Sequence, residues 1–98
     1  MKVRSLLTKA GRAALNQFEI IDEATNRAIF QSYDSEIITI DRDRRTLEIG
    51  PDWDYSYTTD RYRNQFLQRQ GFDEIATTDK LRKAIKAGYI GAYKIITT

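Results

Sequence analysis

The sequence predicts an α+β domain: a small antiparallel sheet made of two hairpins plus a C-terminal strand, with helices packed on one face. Three observations predict it. Short β-prone runs separated by turn residues crowd between positions 18 and 49. Two Thr-Asp helix starts follow, at 58–60 and 77–79. Strand-like and helix-like segments are grouped, without the regular alternation of a parallel βα sheet. With 98 residues the chain accommodates one domain, 1–98, and no second core. Its 41% hydrophobic and 31% charged residues are a globular balance, not a disordered one.

The first element is expected over residues 3–15. Val3, Leu6, Leu7, Ala10 and Ala14 recur at helical spacing, with Lys2, Lys9 and Arg12 toward the other face. Gly11 weakens this helix by about 1 kcal/mol relative to alanine. Phe18 to Ile21 and Arg27 to Tyr33 read as a hairpin across the polar turn Asp22-Glu23-Ala24-Thr25-Asn26. Glu36 to Ile40 is rich in β-branched residues. It pairs with Thr46 to Ile49 across the charged turn 41–45, and Gly50-Pro51 ends that hairpin.

A helix is expected over 59–70. Ser56, Thr58 and Thr59 are candidate caps, Asp60 suits the first turn, and Gly71 suits the left-handed residue after the last one. A second helix, 78–87, starts and stops by the same devices at Thr77-Thr78-Asp79 and Gly88. Residues 90–97 form the last strand. TTDRYR at 58–63 echoes TTDKLR at 77–82. Shared capping chemistry explains the echo more simply than duplication.

Net charge is only +2, but it is unevenly spread. Residues 1–15 carry four bases and no acid, 16–60 carry eleven acids against four arginines, and 61–98 carry eight bases against three acids. Such asymmetry bears on partners and steering, not on fold. The chain has neither cysteine nor histidine. Disulfides and thiolate metal sites are therefore excluded, and the commonest general base is missing. No nucleophile motif and no glycine-rich phosphate loop is present. No apolar run spans a bilayer, and the N-terminus does not read as a secretory signal. No cofactor and no membrane partner are expected.

Residues 52–57, Asp-Trp-Asp-Tyr-Ser-Tyr, pack three aromatics and two acids into six positions. Trp53 suits a core plug, with Asp54 and Ser56 tying up the turn. Tyr55 and Tyr57 suit surface contacts, and Arg61 and Arg63 join them as the expected partner-binding set. Asp41, Asp43, Asp52, Asp54 and Asp60 match no calcium-loop spacing, and no metal is expected. Arg69, Lys80, Arg82, Lys83 and Lys86 offer an alternative nucleic-acid surface, although basic residues are also the usual solvent face of helices. The same basic helices could pair with the acidic sheet of a second copy, giving a homo-oligomer.

The strings FQSYDSEIITID at 30–41 and WDYSYTTDRYRNQFL at 53–67 resemble a group of small uncharacterised bacteriophage and mobile-element proteins. Their core runs S-Y-x-S/T-x-I-A-x-I-D, then W-D-Y-S-x-T-T-x-x-Y-x-x-x-F-L. The similarity covers about residues 17–70, with Ile38 where that group has alanine. The resemblance brings no activity and no functional residue. It implies a protein of the host cytoplasm that acts by binding a host or defence protein, with nucleic acid as the alternative.

Overall fold

The structure, a computed structural model, describes residues 1–98. Seven strands form one sheet: β1 (Lys2–Leu7), β2 (Ala13–Asp22), β3 (Arg27–Ser32), β4 (Ser35–Asp41), β5 (Thr46–Ile49), β6 (Tyr89–Ile90) and β7 (Tyr93–Thr97). Their order is β1-β2-β3-β4-β5-β7-β6. Two helices, α1 (Tyr57–Arg69) and α2 (Thr78–Ala87), are linked by a single 3-10 turn at Asp73–Ile75. The α+β class and both helices are as the sequence predicts.

Two expectations about the sheet are corrected. Residues 3–15 are not a helix but most of β1, a turn and the start of β2. The apolar spacing at Val3, Leu6 and Leu7 fits either period, and strand pairing decides it. Lys2 through Ser5 lie opposite Ile21 through Phe18 in antiparallel register, so tertiary pairing overrides a weak local preference. Gly11 supplies the bend, with φ +77 and its N–H bonded to Thr8 O at 2.9 Å. The sheet is also larger than two hairpins and a strand, and it is not wholly antiparallel. β7 runs parallel to β5, because the chain crosses the sheet through both helices before rejoining it.

Alternation sets the faces. Phe30, Ile38, Ile40, Leu47, Ile49 and Ile95 point toward the helices and are buried. Phe66, Leu67 and Tyr62 of α1 and Leu81 of α2 meet them, with Phe30 and Phe66 stacked at 5.9 Å. Each fully buried side chain of this size stabilises the fold by about 1.5–3 kcal/mol. One carboxylate lies on the same face. Glu19, 3% exposed, accepts from Arg69 at 3.1 Å and from Gln70 at 2.8 Å, which fastens the end of α1 to β2.

Two irregularities shape one end of the sheet. Between Ser5 and Leu7 the β1–β2 register shifts, and Asn16 takes φ 59. Between Phe30 and Gln31 the β3–β4 register shifts and leaves Ile37 as the extra residue. No helix is long and apolar enough to cross a membrane.

Candidate functional site: a tyrosine-rimmed groove beside a buried arginine

The segment joining β5 to α1 is held by an ionic knot. Ser56 caps α1: its Oγ accepts from Thr59 N–H at 3.1 Å. One turn on, Arg63 points inward and is 0% exposed. Its Nη1 donates to the Trp53 carbonyl and to Asp60 Oδ1 at 3.0 Å. Its Nη2 donates to Thr78 Oγ1 at 2.7 Å and Asn64 Oδ1 at 2.9 Å. The guanidinium therefore ties the 50–56 loop, α1 and the start of α2 together. A buried cation is tolerated only when its donors are satisfied in this way.

Arg82 mirrors it from α2. Its Nη2 meets Asp54 at 3.0 Å and its Nη1 meets Asp79 at 3.0 Å. Both guanidinium groups face the Trp53 ring, at 5.5 and 5.7 Å from its centre. The echoing hexapeptides thus place Asp60–Arg63 and Asp79–Arg82 at the same three-residue spacing, and both arginines converge on one indole. Trp53 is half-buried against the core, as its structural reading expects.

The carboxylates in this knot are driven apart. Burial, then the hydrogen bond with Asp54, pushes the Asp60 carboxyl up to about 6. The hydrogen bond from Asp60, reinforced by Arg82, holds Asp54 below the usual carboxylate range. One proton shared by the two acids explains both directions. Burial also lowers Arg63 from its ordinary value, against the pull of Asp60. Asp41 lies elsewhere, at the β4–β5 turn. It is held low first by the Arg44 backbone N–H and then by Arg27, so its role is to tie that turn.

Beside the knot an open groove of about 560 Å³ separates the β3–β4 turn from the start of α1. Ser32, Tyr33 and Ser35 form one wall and Ile37 the apolar base. Asp52, Tyr55, Ser56, Thr58 and Thr59 form the other. Apart from Asp52, the two walls come from the two strings quoted above. Many of their other residues have evident structural roles: Ile38 and Ile40 in the core, Ser56 as cap, Tyr62, Phe66 and Leu67 against the sheet. Ser32 is 5% exposed and lines the groove, and opposite it on β2 Gln17 Oε1 is the one buried side-chain atom without a partner.

Exposed Tyr33 and Tyr55 line this groove, exposed Tyr57 lines a neighbouring cleft, and Leu15 is exposed on β2. Tyr33 is 61%, Tyr55 75%, Tyr57 84% and Leu15 85% exposed. Asn16 O, next to Leu15, accepts the Tyr33 N–H at 2.7 Å. Exposed Leu7 is tied to α1 through Gln65, which both donates to and accepts from its backbone at 2.8 Å. β1, the β2 bulge, the β3–β4 turn and the start of α1 therefore share one end of the molecule.

The expected site residues separate. Tyr55 lines this groove, while Tyr57 lines the neighbouring cleft together with Arg61. Arg61 is half-exposed one turn away, over the Tyr62 ring at 5.5 Å. Arg63, expected on the same surface, is instead fully buried and cannot meet a partner. Of the basic set, Arg69 is paired with Glu19 and Arg82 with Asp54 and Asp79, while Lys80, Lys83 and Lys86 are exposed along α2. Leu7, Leu15, Ser32, Tyr33 and Ser35 were not anticipated. Only the Tyr33-Asp34 turn between two serines left a trace in the sequence. No three of the carboxylates converge as a metal site would require.

Fold and groove together define a two-layer α+β domain with a polar, tyrosine-rimmed recess at one end of its sheet. The chain belongs to DUF8033, a family of unknown function, whose model matches residues 1–84. That description names no activity or partner, and it does not bear on the phage origin implied by the resemblance. No curated protein and no solved structure matches the chain.

Proposed function

We propose that this protein is a non-catalytic binding protein that meets a protein partner through the rim of the groove. The carrying observation is the exposure of Tyr33 and Tyr55, which line one recess, with exposed Tyr57 on the neighbouring cleft and Leu7 and Leu15 exposed on β1 and β2. Exposed apolar surface of this kind marks interaction sites on small domains, and tyrosine is the side chain interfaces use most effectively. The acids with shifted titration do not argue for catalysis, because their oxygens are engaged by Arg63, Thr78 and Arg82. The nucleic-acid reading loses Arg69 and Arg82 to internal partners and keeps only the α2 lysines.

The resemblance suggests a host or defence protein as partner, and the charge map, with basic helices and an acidic sheet, suggests a second copy of the chain. The test is capture from a bacterial lysate by the tagged protein, with and without nuclease, alongside the Tyr55→Ala/Leu15→Ser variant. A protein captured in both conditions and lost with the variant supports the reading. Capture that vanishes with nuclease and ignores the variant refutes it and moves the site to α2. Sedimentation of the purified chain tests the homo-oligomer in the same way.

A further inference from the structure

The sheet has two edges, and they are unlike. β6, at one end, is two residues long. β1, at the other, runs for six, and only β2 pairs with it. At Leu7 the Gln65 side-chain amide both donates to and accepts from the backbone at 2.8 Å, the two bonds a further strand would make. From Lys2 to Leu6 no group of the protein takes that place. An open edge of this length is a template for another strand.

The charge of this edge is of one sign. Lys2, Arg4, Lys9 and Arg12 lie in the first fifteen residues, with no acid among them. Lys2 alone of the four is in an ion pair, with Glu23 at 3.2 Å, and both ends of that pair are exposed. Arg4 lies opposite Glu19, but Arg69 already occupies that carboxylate. The two faces of the strand differ as well. Lys2 and Arg4 share the helix side with Ile21 and Glu19, whereas Val3 lies on the uncovered side opposite Ile20, which lies in turn opposite Ile29. Val3 is 63% exposed, and Ile20 and Ile29 are half-buried. An apolar row thus reaches the edge and stops there.

Charged side chains on an edge, and a register shift such as that between Ser5 and Leu7, are ordinary guards against unwanted pairing. Here they act selectively. Two copies of β1 brought edge to edge would set basic side chains against basic ones, which is unfavourable. The same cations admit a strand of opposite charge. Phosphates would use the cations but neither the unpaired peptide groups nor the apolar row.

We propose that the free edge of β1 receives an acidic, extended segment of a protein partner as an eighth strand of the sheet. Carboxylates alternate with apolar side chains along that segment. The carboxylates meet Lys2 and Arg4 on the helix side, and the apolar side chains continue the Val3–Ile20–Ile29 row on the uncovered side. The backbone ladder supplies affinity and the alternation supplies selectivity. This rests on the chain being a protein-binding protein and adds a second surface, with the chemistry it selects.

The test is a heteronuclear NMR titration of the full chain with blocked octapeptides. One alternates glutamate with valine, and a second is the same peptide N-methylated throughout, which cannot form a ladder. A third carries lysine in place of glutamate, and an oligothymidylate of the same length stands for nucleic acid. The expected result is saturable shifts over residues 2–7 and 18–21, with slowed amide exchange in β1, for the glutamate peptide only. Lys2→Glu/Arg4→Glu weakens that binding roughly fivefold or more. Lys83→Glu/Lys86→Glu, the same charge change on α2, leaves it within about twofold. All four side chains are exposed, and the amide spectrum verifies that each variant is folded. Equal binding of the N-methylated peptide, preference for the lysine peptide or the oligothymidylate, or shifts centred on α2 and indifferent to Lys2→Glu/Arg4→Glu would each overturn it. If the glutamate peptide fails while lysate capture still depends on Tyr55 and Leu15, this inference alone falls. If it binds at β1 while capture ignores Tyr55 and Leu15, the reading of the groove falls and the edge stands.

Discussion

Replacing Arg63 with alanine should remove a large part of this domain's stability, and the magnitude follows from what the guanidinium holds. It is 0% exposed and satisfies the Trp53 carbonyl, Asp60, Thr78 and Asn64 at once. Without it, Asp60, whose side chain is only 16% exposed, keeps its burial but loses its cation. Removing one partner of a buried pair costs about 3–5 kcal/mol. Domains of this size have about 5–15 kcal/mol in total. With a urea slope near 1.5 kcal/mol/M, the unfolding midpoint falls by roughly 2–3 M. The assay is urea unfolding followed by Trp53 fluorescence, the chain's only tryptophan and in contact with Arg63. Far-UV circular dichroism serves as the second probe for two-state behaviour. Arg63→Lys keeps the charge but not the planar fork, and falls between wild type and alanine. The double variant Arg63→Met/Asp60→Leu removes both charges and recovers more than half of the loss, because paired polar groups can be replaced together at little cost. A change within about 0.5 kcal/mol for Arg63→Ala, the level of an ordinary surface substitution, would refute the reasoning.

Three further outcomes are expected. Because burial raises the Asp60 carboxyl from 3.8 to about 6, the folded chain binds a proton there that the unfolded chain has released. Stability from this group is therefore highest below the unfolded value and declines as pH rises through about 6. Asp60→Asn, which mimics the protonated acid, should flatten that decline in unfolding titrations between pH 4 and 7; an unchanged slope would remove Asp60 as its source. Gly50→Ala would place a Cβ 2.6 Å from the Glu36 carbonyl, so the β4 backbone must move. A cost of about 1–3 kcal/mol, read as a melting midpoint roughly 5–15 °C lower, is expected, and an unshifted midpoint contradicts the close approach. Tyr55→Ala/Leu15→Ser removes only exposed side chains, so its urea midpoint should match wild type within about 0.5 kcal/mol; a larger loss would mean that the rim supports the fold.

The sequence by itself determined the α+β class, the hairpin β2–β3, the strands at 36–40 and 46–49, and both helices, with the cap of the first left among Ser56, Thr58 and Thr59. These are local: β-branched alternation, Thr-Asp starts and turn residues act within a few positions of one another. It also favoured Tyr55 and Tyr57 as surface residues, while whether Trp53 is buried was decided by the tertiary structure. The tertiary structure alone decided the rest. Residues 3–15 became strand and turn because β2 offered a ladder that no local propensity encodes. β7 joined β5 in parallel because two helices intervene. Arg63 went inside although its type favours the surface, since the acceptors that make burial tolerable come from Trp53 and Thr78, ten and fifteen positions away. The groove exists only because the β3–β4 turn and the start of α1 meet across more than twenty residues of chain. Spacing within a sequence reports which residues share an element, but a recess and its charge arise from pairing between elements, and that is written in contacts at long range.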